Sequence, residues 1–199
     1  MRLTDPKAMR ALAHPMRLSL LRLLRTEGPI TATRAAELLG ESSASCSFHL
    51  RQLAKYGLAE EAGGGHGRER PWRATATLTD VPEVADDPEL AAAAQFFRSI
   101  VLKRNFEGAM RWLDAQADEP QQWQRAAQFN DLLLYLTAPE LEELSQGIQA
   151  LHERYADRLT NPELRPPGSR LISYVRLAFP VLDDPRGRCG RSEGEGGAR

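Results

Sequence analysis

Glycines at 28, 40 and 57 cut the early chain into lengths that two short helices fill and little else does. Gly28-Pro29 ends whatever helix precedes it, because proline offers no N–H and clashes with the preceding turn. Ile30 is then a candidate for a short strand. Thr31 is placed to cap a helix that runs through Leu39, with Gly40 as its C-terminal glycine. After Glu41-Ser42 the pattern restarts as a helix from Ser43 to Lys55. In it Cys46, Leu50 and Leu53 recur at i, i+4 and i+7 on one face, and Tyr56-Gly57 closes it. The spacing predicts helix, tight turn, helix.

On either side the pattern extends this unit. Asp5 to Ala13 reads as a short helix, and Pro15 stands at the first turn of a second, where a missing N–H costs nothing. Met16, Leu18, Leu20, Leu21, Leu23 and Leu24 predict that this second helix is largely buried. Beyond Gly57, 58–62 and 70–77 read as two short strands. The run Gly63-Gly64-Gly65-His66-Gly67 between them suits only a turn or loop tip.

Charge divides the chain in the same place. Residues 1–76 carry 12 basic and 7 acidic side chains, and residues 77–199 carry 14 and 20, so a net of +5 faces one of -6. A basic module on an acidic body is what a chain presents when only its first part meets a polyanion. Two cysteines, Cys46 within a predicted helix and Cys189 in a Gly/Arg-rich tail, make neither a disulfide framework nor a metal cluster. Met1 to Lys7 has no secretory apolar run, and no stretch approaches the ~20 apolar residues of a membrane span, so a cytoplasmic protein is expected.

Asp80 to Pro88, acidic and proline-bearing, reads as a link between halves. The domain expectation is therefore 1–77, a linker over 78–88, a second half over 89–182 and a tail over 183–199 too poor in apolar residues to order. Glu89 to about Ala117 is helical in pattern and, at ~1.5 Å per residue, roughly 40 Å long. Its apolar residues Phe96, Phe97, Ile100, Val101 and Met110 exceed what the small first domain can cover, so a second copy of the chain is the expected partner and these residues the dimerisation face. The alternation in 128–136 predicts a strand covered on both faces. Thr137-Ala138-Pro139-Glu140 is a capping box for a helix carrying Leu141, Leu144, Ile148, Leu151, Tyr155 and Leu159, and 170–179 predicts a last strand. The fold class expected is mainly α with small β: a winged helix-turn-helix domain, a long dimerisation helix, and a helix-strand-helix-strand second half.

Three segments together carry a family resemblance: Ala11-Leu12-Ala13-His14-Pro15-Met16-Arg17-Leu18, Ala35-Ala36-Glu37-Leu38-Leu39-Gly40, and Ser47-Phe48-His49-Leu50-Arg51-Gln52-Leu53-Ala54-Lys55-Tyr56-Gly57-Leu58. In order and spacing, and followed by a Gly-rich wing, they resemble the ArsR-type winged-helix regulators over about the first 75 residues. The resemblance implies a homodimer that binds double-stranded DNA and regulates transcription, as a repressor. A winged-helix module serving protein contacts or non-specific chromosome binding is the alternative.

The physical logic is independent of the name. A helix fits the major groove, and small residues at its start allow close approach while its free N–H groups face phosphates. Ser42, Ser43, Ala44, Ser45 and Ser47 suit that place; the bland reading of the serines is capping and solvation. Phe48 can touch a thymine methyl, Arg51 a guanine or a phosphate, and Gln52 an adenine or only water. His49 reads more readily as a packed histidine than a base contact. In the wing, Arg68 and Arg70 can meet the minor groove or phosphates, whereas Trp72 reads as structural. No metal site is expected, because the ligands are scattered: Ala32 to Leu39 has no cysteine, and the long helix has no His or Cys. No cofactor is expected either. Gly63 to Gly67 lacks the Lys-Ser/Thr helix start of a phosphate loop, and no nucleophile elbow appears, so an enzyme is not expected. A small-molecule effector for the second half is left open.

Overall fold

The structure, a computed structural model, describes residues 1–64, 70–77 and 79–182. They form two compact units, Met1–Ser169 and a second that begins at Arg170.

The first unit opens with four helices: α1 (Pro6–Leu12), α2 (Pro15–Thr26), α3 (Ala32–Leu39) and α4 (Ser43–Lys55). Each is started by a side-chain cap on an otherwise orphaned backbone N–H. Asp5 accepts from Lys7, the His14 ring from Met16, Thr31 from Arg34 and Ser42 from Ser45. Gly40, at φ 67°, ends α3 in the left-handed conformation that turns the chain into α4 without a Cβ penalty.

Strands β1 (Ala59–Glu61) and β2 (Trp72–Ala74) pair antiparallel with Ala59 opposite Ala74 and Glu61 opposite Trp72. Ile30 forms a separate, isolated antiparallel bridge to β2, exchanging two backbone bonds of 3.0 and 2.8 Å with Trp72. The wing is thereby fixed to the turn that precedes α3. Met9, Leu12, Leu20, Cys46, Leu50, Leu53 and Leu58 are the largest fully buried side chains, so the core lies where α1, α2, α4 and β1 meet.

Helix α5 (Pro88–Ala115) starts on the Asp87 cap and packs its first turns on α1. Ala93 and Ala94, which let the helices approach closely, and Phe97 are its only buried residues. An Arg10–Glu89 ion pair of 2.8 Å borders that contact. The connection before α5 is held at both ends. Leu3 N–H donates to Asp80 O at 2.8 Å, and Arg98 donates to Pro82 O and lies 3.3 Å from the Glu83 carboxylate. Beyond α5 come a 3-10 turn (Gln116–Asp118), α6 (Gln121–Ala126), α7 (Ala138–Ala156) and two further 3-10 turns, Asp157–Leu159 and Pro162–Leu164. The capping box of α7 is present, Thr137 and Glu140 each binding the other's backbone N–H.

The second half differs from expectation in its strands. Neither 128–136 nor, in the second unit, 170–179 is a strand, and the alternating leucines are not covered: Leu132 is 73% and Leu133 79% exposed. A period-two pattern says which faces of a strand would be apolar; it does not supply the neighbouring strand whose N–H and C=O groups make the ladder. The second unit is described over 170–182, where it holds neither helix nor strand.

Candidate nucleic-acid interface

Helix α4 buries Cys46, Leu50 and Leu53 and so turns the opposite side outward. Ala44, Phe48, Arg51 and Lys55, at i, i+4, i+7 and i+11, are all exposed; Phe48 remains 52% exposed despite its apolar ring. Ser42 and Ser43 are exposed at the helix start, whereas Ser45, Ser47 and Gln52 are half-buried at the edges of the stripe. Arg51 donates to Ser47 Oγ at 2.9 Å, one turn back, which holds the guanidinium along the helix surface. The outward face is thus a small-residue start, one aromatic ring and one oriented arginine.

Two neighbours escaped sequence reasoning. The Thr33 hydroxyl lies 3.5 Å from that of Ser43 and joins the starts of α3 and α4; the only signal was a second threonine just after the cap. Lys55 extends the exposed stripe of α4 by one turn, and the i+4 step from Arg51 was the clue.

His14 and His49 bring α2 and α4 together at a cavity of about 440 Å³ that Glu41 and Ser45 also line. The His14 Nδ1 accepts the Met16 N–H at 3.2 Å, so its neutral ring carries the proton on Nε2. Burial pushes both imidazoles below their usual pKa; Arg17 adds to this at His14, and His14 and Arg17 at His49, where Glu41 opposes. His49 Nδ1 and Arg17 Nε are buried without a hydrogen-bond partner among the described residues. His49 is therefore a packed histidine. Cys46 is buried as well, and burial first, then Glu41, pushes its thiol pKa up, which disfavours a reactive thiolate.

In the wing, Arg70 is exposed but engaged by Glu61 at 2.7 Å, while Arg73 meets Glu60 across the ladder at 2.7 Å. Arg68 and His66 lie outside the described residues, as do Cys189 and the expected tail over 183–199. Trp72 is buried, in line with a structural role.

The residues expected at a dimer face divide. Phe97 is buried in the chain's own core, and Ile100 and Val101 pack partly against it. Phe96 and Met110 stay exposed, joined by Leu102, Phe106 and Leu113; Phe106 is 66% exposed. Sequence counting missed this division because α1, only seven residues long, covers the first turns of α5.

Four capped helices, the last with an outward stripe of small, aromatic and basic residues, and a two-stranded wing define the winged helix-turn-helix class. Residues 12–62 match a family model described as a helix-turn-helix domain, so this part of the chain is a helix-turn-helix domain, of the kind that serves DNA binding in transcription regulation. No curated protein matches the chain. Among the described residues no helix is long and apolar enough to cross a membrane.

Proposed function

We propose that the chain is an ArsR-type transcription regulator, a repressor, that binds double-stranded DNA sequence-specifically as a cytoplasmic homodimer. Helix α4 enters the major groove, and the wing lies at the minor groove or backbone. The observation that supports this best is the outward face of α4, where small residues at the helix start precede Phe48 and the Ser47-oriented Arg51. Small residues permit close approach, and an oriented guanidinium suits guanine. The surplus of basic residues before position 77 adds sequence-independent attraction to phosphates.

The exposed apolar residues of α5 beyond Phe97 support the dimer, because such a stripe is rarely left to water. Two-fold symmetry then implies a near-palindromic operator with half-sites one helical turn, or a multiple, apart.

The experiment is selection of genomic fragments from the source organism by the full chain at moderate and high salt, followed by sequencing. Enrichment of a near-palindromic site is the expected result. Retention of all fragments alike would mark a non-specific chromosome binder, and retention of none a protein-contact module.

A further inference from the structure

A second cavity, of about 500 Å³, lies away from α4, where the C-terminal end of α2 and strand β2 face the 3-10 turns after α7. Two arginines, Arg25 and Arg165, line it. Among the described residues both are hydrogen-bonded only to neutral acceptors. Arg25 donates from Nε to Ala76 O at 2.9 Å and from Nη2 to Thr79 Oγ1. Arg165 donates from Nε to Arg158 O at 2.7 Å, and from Nη2 to Leu159 O at 2.8 Å and Thr26 O at 3.3 Å.

These bonds orient both guanidiniums without neutralising either. Neither makes an ion pair among the described residues, and each leaves its Nη1 donors unused there. A third lining arginine, Arg73, is already matched by Glu60, and Glu27, which also lines the cavity, pairs with none of them. Burial, and after it the nearby Arg104, push the Arg25 pKa down. The remaining walls include Leu24, Pro29, Leu159 and Pro162.

Preorganised, unneutralised guanidiniums beside apolar walls are what an organic anion needs, since the fork binds carboxylate and the walls take the hydrocarbon. We infer that this cavity binds a small carboxylate-bearing molecule with an apolar body, held by Arg25 and Arg165. The site spans the helix-turn-helix domain and the end of the second half, and it goes beyond DNA binding without depending on it.

The test is a titration of the full chain with benzoate, acetate and inorganic phosphate at constant ionic strength, following the arginine Nε–H signals by NMR. Benzoate should move the Arg25 and Arg165 signals saturably and bind roughly tenfold more tightly than acetate, because ring burial adds to the ion contact. Arg34 and Arg51, which do not line the cavity, should stay still, and Arg165→Gln should abolish saturation. Equal movement of all four arginines, no saturable movement, or an unchanged response in Arg165→Gln would overturn the site. A response to phosphate with none to benzoate would overturn the organic carboxylate. The unsubstituted protein carries the main readout, so the test survives a poorly folding variant.

Discussion

The imidazole rings of His14 and His49 lie 4.7 Å apart between centroids, tilted by 35°, and join the cap of α2 to the middle of α4. One ring uses its Nδ1 as an acceptor, and the other buries an Nδ1 that has no partner among the described residues. Both arrangements suit neutral imidazole. Protonation would put a donor where His14 accepts the Met16 N–H, and a charge where burial and Arg17 oppose it.

Stability should therefore fall with acid. Both folded-state pKa values lie below the ordinary 6.5, so the unfolded chain takes up protons first. The contribution is complete above pH 6.5 and is lost as pH drops from there through the lowered folded values. Urea midpoints should be lower at pH 5.5 than at 7.5. The double variant His14→Asn, His49→Gln keeps a capping acceptor but cannot titrate, and its midpoint should fall less. An equal fall in both proteins would assign the effect to other groups.

Arg51→Ala should weaken operator binding by about 1–3 kcal/mol and relax preference at one base pair, if the guanidinium reads a guanine. Ser47→Ala should give a smaller loss in the same position, because it removes the hydroxyl that holds Arg51. Affinities across a panel of single-base operator variants check both. A uniform loss on every sequence would make Arg51 a phosphate contact.

The helix-turn-helix domain was legible because its signals are local. Thr31, Ser42 and Gly40 cap where their side chains or backbone freedom require, and the i, i+4, i+7 run of Cys46, Leu50 and Leu53 marks a core face that the structure buries completely. The Arg25–Arg165 cavity was not legible. Its arginines are 140 positions apart, and the bond from Arg165 to Thr26 O that closes it has no sequence signature. The same limit explains 128–136: alternation is written in the chain, a strand partner is not. It also explains Phe97, whose burial depends on which helix packs against α5.

The wing holds a competition that the sequence concealed. Glu61 engages Arg70 at 2.7 Å, so a phosphate must displace a carboxylate before Arg70 can join it. Glu61→Gln should tighten DNA binding on all sequences alike and steepen its salt dependence, since a freed arginine displaces one more counterion. Replacing Arg68 and Arg70 together by Ala should flatten that dependence. Plots of log K against log salt for the three proteins decide it, and identical slopes would remove the wing from the interface.

The exposed stripe on α5 carries the remaining prediction. Leu102, Phe106, Met110 and Leu113 recur on one side of a helix that has no buried residue after Phe97. If a second copy covers this stripe, Phe106→Asp with Met110→Asp desolvates two carboxylates in the interface and should yield a monomer at micromolar concentration. The variant should fold, because neither side chain belongs to the core, and it should melt close to the parent after allowance for the lost assembly. Sedimentation of both proteins separates the outcomes. A monomeric parent would remove the dimer and the palindromic operator with it; a parent dimer unaffected by the two aspartates would move the interface elsewhere, away from these four residues.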